Sequence, residues 1–204
     1  MTRIKICGLK RPEDVAAVNA VLPDYIGFVF AGEKRRISRE TARQLKALLD
    51  PRIASVGVFV NEAPENIAAI VNDGTLDLVQ LHGDEDGAYI QWLRQLVDVP
   101  LIKAVRVQTR EQILEAEQLP CDYLLLDTFV KNAYGGSGKT FNLGLIPALS
   151  KPFFLAGGLN GDNVAAAIAA GHPWCVDISS GAETDGYKDP EKIRRLTEIV
   201  RIQG

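Results

Sequence analysis

Two short apolar runs of the sequence end in side chains that can transfer protons. Cys7 closes the run RIKIC, and Asp127 closes the run DYLLLD. A thiol and a carboxyl differ in intrinsic acidity, so they predict a general acid and a general base if the fold brings both runs to one edge. The structural alternatives are a cysteine that packs as a small hydrophobe and an aspartate that caps a turn.

Two later loops carry the glycines and hydroxyls that suit an anion. The segment LAGGLNGDN places Gly157 and Gly158 just before a predicted helix. The segment DISSGAE supplies Asp177, Ser179, Ser180 and Gly181. Glycine lets the backbone approach an anion closely, and free N–H groups at a helix start can bind it. Together the two loops predict a phosphorylated ligand, although turns and helix caps use the same residues.

A third glycine-rich segment competes for that role. Residues 133–140 read AYGGSGKT, which fits a phosphate-binding P-loop if Ala133 is accepted at the first glycine position, with Gly138, Lys139 and Thr140 at its end. A true P-loop follows its strand directly and opens a helix. Here residues 128–132 separate the segment from the strand, so we favour a mobile loop that folds over a substrate.

Arg35 and His82 are further candidates for binding. Arg35 lies in the basic loop AGEKRRIS, where it could hold a carboxylate through two parallel hydrogen bonds or could simply be solvated. His82 ends the run LVQLH, and a structural role is as plausible as a substrate contact. The other histidine, His172, lies beside Pro173 in a predicted turn, and we interpret it as structural. Two histidines are too few to predict a metal cluster of the zinc type.

Eight short, β-branched apolar runs could position these residues. Each is followed by a polar turn and a stretch with helical spacing, which is typical of βα units on a parallel sheet. The runs are RIKIC (3–7), YIGFVF (25–30), ASVGVFV (54–60), DLVQLH (77–82), LIKAVRV (101–107), DYLLLD (122–127), PFFLAG (152–157) and WCVDIS (174–179). Eight units in 204 residues predict a compact α/β fold, a single-domain (β/α)8 TIM barrel over residues 1–204. A doubly wound open sheet, which usually has fewer strands, is the alternative.

The helical spacing predicts one helix after each strand. Pro12 suits the start of the first helix, and Ser38 is expected to cap the second, with Thr41 in the capping-box position usually given to Glu or Gln. The predicted segments cover residues 12–21, 38–49, 63–71, 86–96, 109–119, 142–149 (NLGLIPAL), 161–170 and 189–200. In such a barrel the active site lies where the strands end, so Cys7 and Asp127 are expected at one rim.

Composition narrows the class of partner. The chain has 23 basic and 26 acidic residues, a formal charge of −3, which argues against nucleic acid. No stretch approaches 18 uninterrupted apolar residues, and the charged start does not resemble a secretory signal, so we expect no membrane partner. Three cysteines without CxxC spacing do not predict disulfides and suit a reducing compartment, which predicts a cytoplasmic protein.

Nine segments, in chain order, resemble the phosphoribosylanthranilate isomerase family of tryptophan biosynthesis. They are KICGLKRPEDV, GFVFAGEKRRIS, VGVFVN, LVQLHGDE, IKAVRV, DYLLLDT, GGSGKTFN, LAGGLN and DISSGAE, and the resemblance covers about residues 3–203. It implies a (β/α)8 barrel without cofactor or metal. The reaction implied is an Amadori rearrangement of N-(5-phosphoribosyl)anthranilate to 1-(2-carboxyphenylamino)-1-deoxyribulose 5-phosphate.

The same resemblance implies roles for individual residues. Cys7 would be the general base and Asp127 the general acid, while Arg35 would face the anthranilate carboxylate and His82 would contact the substrate. The chain departs from the family pattern at two positions. Glu33 stands where a serine is frequent, which keeps the neighbouring Arg36 open as an alternative to Arg35, and Leu143 stands where an aromatic residue is usual.

The implied chemistry requires unusual protonation states. Asp127 would donate a proton to the furanose ring oxygen, opening the sugar to a Schiff base, and Cys7 as a thiolate would remove the proton on C2. A reference thiol titrates near 8.5 and a reference aspartate near 3.9. We therefore expect nearby cations to favour the thiolate, and burial or neighbouring negative charge to favour the neutral carboxyl.

Three other functions remain open at this point. A sugar-phosphate epimerase would share the loops after the seventh and eighth strands without needing Cys7. A P-loop module would bind ATP or GTP, and a non-catalytic domain would not need polar residues at so many strand ends. The favoured partner is a small phosphoribosyl substrate, and we expect a monomer or a homodimer.

Overall fold

Eight parallel strands close into a barrel in the order of the chain. The computed structural model describes residues 1–128 and 143–203. The strands are β1 Arg3–Cys7, β2 Tyr25–Val29, β3 Ala54–Phe59, β4 Leu78–Leu81, β5 Leu101–Val107, β6 Tyr123–Thr128, β7 Phe153–Leu155 and β8 Cys175–Ile178. Pairing of β8 with β1 closes the sheet, with Lys5 opposite Asp177. The predicted (β/α)8 barrel is confirmed, and the strand limits differ from the expected ones by a few residues at most.

Seven α-helices surround the barrel in the described part of the chain. They are α1 Pro12–Val21, α2 Arg39–Leu48, α3 Pro64–Val71, α4 Gly87–Leu96, α5 Arg110–Glu117, α6 Val164–Gly171 and α7 Pro190–Gln203. Pro12 is the first residue of α1, where its missing N–H is not needed. The predicted cap of α2 is confirmed, because Ser38 Oγ accepts a hydrogen bond from the Thr41 N–H at 3.1 Å. None of the helices described here is long and apolar enough to cross a membrane.

The helix predicted over residues 142–149 is wrong. Residues Leu143–Leu145 form a single 3-10 turn, and no α-helix follows before β7. Pro147 explains the error, since it cannot donate an N–H to a helix and disfavours the helical conformation of Ile146. The apolar side chains of this stretch pack half-buried against the core, so they kept their burial without the helix. The P-loop-like segment at 133–140 and its predicted closure over a substrate lie outside the described residues.

A small hairpin follows β8 that the strand pattern does not predict. Strands β9 Glu183–Thr184 and β10 Tyr187–Lys188 pair in antiparallel fashion. Asp185 and Gly186 connect them with positive φ angles of 51° and 78°. The Asp-Gly dipeptide is a typical signal for such a tight turn. The hairpin is too short to show an alternating apolar pattern, and only this dipeptide indicates it.

The interior of the barrel is apolar at one end and polar at the other. Residues two apart in a strand share a face. One set of side chains therefore points into the barrel, and the alternate set packs against the helices. The inner cluster contains Val56, Leu78, Ile102, Ala104, Leu125, Phe154, Ala156 and Cys175. Aromatic rings fill the end where the strands begin, and Trp174 lies 4.7 Å from Tyr123 and 5.3 Å from Phe154 between ring centroids. Among the described residues, the barrel interior therefore leaves room for a polar pocket where the strands end.

Candidate active site

A pocket of about 330 Å³ opens at the carboxyl ends of the strands. This volume lies in the range typical of small-molecule sites. Cys7 and Asp127 both line it, as the sequence predicts. The other predicted residues on its wall are Arg35, His82, Gly157, Gly158, Asp177, Ser179 and Ser180. The structure therefore brings the expected acid and base to one cavity, although β1 and β6 are not neighbours in the sheet.

Cys7 is buried at the end of β1, and Gly27 of β2 makes room for its thiol. The two residues are paired across the sheet, and a Cβ atom at position 27 would lie only 2.6 Å from Cys7 Sγ. Ser179 Oγ donates a hydrogen bond to the Cys7 carbonyl at 3.1 Å, which joins β1 to the loop after β8. The position of the thiol is thus set by β2 and by the loop after β8.

The protonation of Cys7 differs from the expectation. Burial raises the pKa of the thiol above its usual value, and the nearby charges of Lys5 and Lys188 lower it only in part. The predicted cations are therefore present, but they do not outweigh desolvation of the thiol. The thiol, and not the thiolate, is the dominant form at neutral pH.

Arg35 reaches the pocket in a fixed orientation. Its Nε and NH2 groups each donate to a carboxylate oxygen of Glu183 at 2.7 Å. Lys188, which is buried in β10, donates to the same carboxylate at 2.8 Å. Burial would raise the pKa of Glu183, but the hydrogen bonds from Arg35 and Lys188 lower it to about 2. Gly8 has a φ of 92°, and a Cβ there would lie 2.5 Å from Arg35 Cδ, so only glycine fits beside this side chain.

Arg36 lies outside this pocket. Its side chain is exposed and lines a separate open groove beside Phe30 and Phe59. Of the two arginines, Arg35 lines the pocket that contains Cys7 and Asp127, and Arg36 does not. His172, predicted to be structural, caps the end of α6 with a φ of 44° and donates its N–H to the Ile168 carbonyl at 2.9 Å.

A chain of polar contacts crosses the barrel along the lining of the pocket. Lys5 Nζ donates to Asp177 Oδ2 at 3.0 Å and to Gln80 Oε1 at 2.7 Å. Gln80 Nε2 lies 2.8 Å from His82 Nδ1. His82 Nε2 in turn lies 3.3 Å from Asp127 Oδ2. This chain, which we call the polar relay, links side chains of β1, β4, β6 and β8.

Two atoms of the polar relay have no hydrogen-bond partner among the residues that the structure describes. They are His82 Nε2 and Asp177 Oδ1. The 3.3 Å contact of His82 Nε2 with Asp127 is close enough for an ion pair, but its geometry is not that of a hydrogen bond. Both residues line the pocket. Buried polar atoms in native proteins almost always have partners, so this pair indicates a polar ligand.

The glycine loops lie beside the relay. Gly157 and Gly158 have φ angles of 95° and 64°, which favour glycine, and both line the pocket. Their N–H groups donate to no group within the described ranges. Ser179 and Ser180 line the same wall, whereas Gly181 does not. A Cβ on Gly181 would lie 2.0 Å from the Leu159 carbonyl oxygen, so this glycine lets the two loops approach each other.

Several residues of the site were not predicted from the sequence. They are Lys5, Gly27, Gln80, Glu183 and Lys188. Lys5 and Gln80 could have been found from the sequence, because each is a polar residue inside an otherwise apolar strand. The Asp-Gly turn could have indicated the hairpin that carries Glu183 and Lys188. No group of three or more potential metal ligands occurs in residues 1–128 and 143–203.

Fold and site together are those of a (β/α)8-barrel enzyme that performs acid–base chemistry on a small molecule. Comparison with known proteins identifies the family. The chain belongs to the N-(5'-phosphoribosyl)anthranilate (PRA) isomerase family, whose sequence model matches residues 4–199. It is an isomerase of tryptophan biosynthesis that converts N-(5-phosphoribosyl)anthranilate to 1-(2-carboxyphenylamino)-1-deoxyribulose 5-phosphate.

Individual relatives agree with this assignment. The N-(5'-phosphoribosyl)anthranilate isomerase of Endomicrobium trichonymphae is 51% identical over 98% of this chain and 99% of its own length. The crystal structure of the Thermotoga maritima isomerase has a TM-score of 0.87 and 36% identity, covering 98% of this chain and 99% of that one. A further isomerase structure, in complex with reduced 1-(o-carboxyphenylamino)-1-deoxyribulose 5-phosphate, has a TM-score of 0.82 and 34% identity over 98% and 99% of the two chains.

The family assignment decides among the open alternatives. A sugar-phosphate epimerase, a nucleotide-binding switch and a non-catalytic domain are all set aside by the match over nearly the whole chain.

Proposed function

We propose that Cys7 is the general base and Asp127 the general acid of the isomerisation. The observation that carries the proposal is that both residues line one pocket, at the ends of β1 and β6. A well-placed acid or base typically contributes about 10² to 10⁴ in rate. Cys121 and Cys175 do not line this pocket, so Cys7 is the cysteine that can reach a bound substrate there.

The reaction then takes three steps. Asp127 donates its proton to the furanose ring oxygen while the bond from that oxygen to C1 breaks, and the anthranilate nitrogen shares its electron pair with C1 to form the protonated Schiff base. Cys7 as thiolate removes the C2 proton, and the C2 electron pair forms the double bond of the enolamine and restores the lone pair on nitrogen. The enolamine loses its hydroxyl proton and gains a proton at C1, which gives the ketone.

Arg35 is proposed to bind the anthranilate carboxylate. Glu183 accepts from two of its donors, but the guanidinium has five N–H groups in a fixed fork. The pair with Glu183 therefore leaves three N–H groups for a ligand in the pocket, which Arg35 lines. A carboxylate ligand would place a second negative charge on the guanidinium, and Lys188 helps to balance both.

The sugar phosphate is proposed to bind on the other side of the pocket. The N–H groups of Gly157 and Gly158 and the hydroxyl of Ser180 suit a phosphate at this position, where barrels often bind one. Ser179 lines the same pocket, but its hydroxyl would have to release the Cys7 carbonyl to donate to a phosphate. Asp177 Oδ1, buried and without a partner in the described structure, could accept from a ribose hydroxyl. The relative whose structure contains a reduced phosphorylated product supports a ligand of this class.

Direct assay of the isomerase reaction tests these roles. Purified protein is mixed with freshly generated phosphoribosylanthranilate, and loss of substrate fluorescence is followed for the parent chain, Asp127→Asn and the control variant Cys121→Ser. We expect activity in the parent and the control and a loss of at least about 10² in Asp127→Asn. Retained turnover and an unchanged pH profile in Asp127→Asn would remove it as the acid.

Domain organisation, location and oligomeric state complete the proposal. We propose that residues 1–204 form one catalytic domain, because the strand that opens the barrel pairs with the last one. A cytoplasmic location is supported by three cysteines that are all unpaired. We propose that the protein is a monomer or a homodimer. Light scattering of the protein as it elutes from a size-exclusion column measures the molar mass that distinguishes the two.

A further inference from the structure

We propose that Gln80, held by Lys5, is a positioning residue that locks His82 in the tautomer with its proton on Nε2. In that tautomer His82 points an N–H at Asp127. The inference deepens the proposed function, since its catalytic consequence rests on Asp127 as the acid. The tautomer itself rests only on the contacts of the polar relay.

The charge of Lys5 determines which atom of the Gln80 amide faces it. Its side chain is completely buried, and an ammonium group can donate hydrogen bonds but cannot accept them. Burial alone would lower the pKa of Lys5, but the charge of Asp177, the hydrogen bond to its carboxylate and smaller contributions from two nearby cysteines together raise the pKa above the usual value. The group therefore stays charged, and the Gln80 atom that lies 2.7 Å from it must be the amide oxygen.

The orientation of Gln80 follows from this contact. With its oxygen on Lys5, the amide turns its NH2 group toward His82 Nδ1 at 2.8 Å. A flipped amide would place NH2 hydrogens against the ammonium of Lys5, and both groups would be donors. Because the NH2 group can only donate, Nδ1 must accept and carries no proton. The proton of the neutral imidazole is therefore on Nε2.

The backbone that carries the ring is held independently of its tautomer. The backbone N–H of His82 donates to the Phe59 carbonyl at 2.8 Å. The next residue, Gly83, donates its N–H to Glu85, and Lys103 Nζ donates to the Gly83 carbonyl and to Glu85 at 2.7 Å. A Cβ at position 83 would lie 2.3 Å from Asn61 Oδ1, so the backbone has little freedom there. The proton on the ring is then the variable that Gln80 controls.

The tautomer of His82 determines what Asp127 faces in the pocket. His82 Nε2 is buried, lies 3.3 Å from Asp127 Oδ2 and has no hydrogen-bond partner among the described residues. When Asp127 gives its proton to the ring oxygen, a carboxylate forms beside this N–H. A small closure of the 3.3 Å contact would then make a charge-assisted hydrogen bond. The opposite tautomer would instead present a lone pair to the new negative charge.

Nitrogen NMR of histidine tests the tautomer without any activity measurement. The chain has two histidines, and His172→Asn removes the second signal at a left-handed position that asparagine tolerates. In protein labelled with ¹⁵N-histidine, we expect the long-range correlations of His82 to report protonated Nε2 and unprotonated Nδ1. Protonated Nδ1 with bare Nε2 in the parent chain would overturn the inference, whatever the role of Asp127.

The variant Gln80→Glu tests the control by Gln80. A carboxylate there accepts from Lys5 and also from His82 Nδ1–H, so the NMR signature should change to protonated Nδ1. We expect kcat to fall at least about 10-fold with little change in KM, as wrong tautomers reduce turnover in other acid–base sites. Gln95→Glu adds the same charge on the exposed face of α4 and should change neither quantity.

The outcomes separate the inference from the proposed function. If Gln80→Glu leaves both tautomer and kcat as in the parent, Gln80 does not position His82 and the inference fails. If Gln80→Glu does not fold, the tautomer of the parent chain still decides. If Asp127→Asn retains turnover while His82 keeps its proton on Nε2, the proposed acid is wrong and the tautomer assignment stands.

Discussion

At the scale of single residues, Cys7 is subject to two opposing influences. Burial favours the neutral thiol, whereas the ammonium groups of Lys5 and Lys188 favour the thiolate, and burial has the larger effect on the pKa. The sequence predicted Cys7 but not its surroundings. Lys5 is a charged residue that faces the interior of the barrel, and Lys188 comes from the hairpin after β8. The thiolate of Cys7, which we propose as the base, is thus a minority form at neutral pH.

The reactivity of Cys7 should therefore increase with pH well beyond neutrality. The pKa of its thiol lies above its ordinary value of 9.0, so thiolate accumulates as the pH rises through and past that value. Alkylation by iodoacetamide, read at Cys7 by mass spectrometry, should accelerate steadily between about pH 7 and pH 9, roughly tenfold per unit of pH. A rate that is already constant below pH 7 would show a stabilised thiolate and contradict the electrostatic account.

Arg35→Ala should mainly raise KM. Hydrogen bonds to charged groups contribute about 1.5–3 kcal/mol, which corresponds to roughly a 10- to 100-fold effect on substrate binding. The variant also leaves Glu183 without its main partner, so the double variant Arg35→Ala with Glu183→Gln separates repulsion by Glu183 from loss of the arginine. Steady-state kinetics of Arg36→Ala provide the comparison, and a larger increase of KM there would transfer the role to Arg36.

At the scale of elements, the sequence was most informative about strands. Parallel strands are buried on both faces, so each appears as a compact apolar run that can be counted, and all eight were found. The helix expected at residues 142–149 does not form over residues 143–149. The apolar spacing is typical of a helix, but Pro147 is incompatible with one at this position. The hairpin β9–β10 was missed because two-residue strands have no pattern, although its glutamate and lysine hold Arg35 in place.

Gly27 of β2 makes room for the Cys7 thiol, which we propose as the base. Gly27→Ala should displace the Cys7 thiol, because the new Cβ would lie 2.6 Å from Sγ. We expect kcat to fall at least about 10-fold and stability to fall by about 1–3 kcal/mol, the usual cost of overpacking. Kinetics and urea unfolding measure the two effects.

Gly57→Ala is the matched control in the neighbouring strand β3. Its Cβ would lie 2.4 Å from Leu76 Cδ1, so it overpacks the protein at a position that does not line the pocket. It should lose stability to a similar degree while kcat stays near the parent value. Equal losses of kcat in the two variants would show a general effect of overpacking and not displacement of the thiol.

At the scale of the whole molecule, the site depends on contacts that sequence reasoning cannot assemble. The sequence placed the strand ends at one rim, and that was enough to bring Cys7 and Asp127 to one pocket. It could not show that Lys5 meets Gln80 across 75 residues and Asp177 across 172. Such partners depend on the register and closure of the barrel, which no local pattern encodes.

The pairing of Glu183 with Arg35 and Lys188 should make the stability of the fold sensitive to acid. The folded pKa of Glu183 is about 2, below its ordinary value of 4.5, so its carboxylate stabilises the fold above about pH 4.5. This contribution should be lost as the pH falls from about 4.5 toward 2. Urea unfolding of the parent and Glu183→Gln should show a difference at pH 6 that decreases by pH 3. A difference that stays constant over this range would contradict the assigned pKa.

The turnover of Cys7→Ser tests the central claim most directly. A serine hydroxyl keeps the size of the side chain but is a far weaker base at neutral pH, so kcat should fall by at least about 10². Affinity for a reduced product analogue should stay nearly the same, since the substitution alters proton transfer and not binding. Turnover close to that of the parent chain, with analogue affinity unchanged, would show that another group removes the C2 proton.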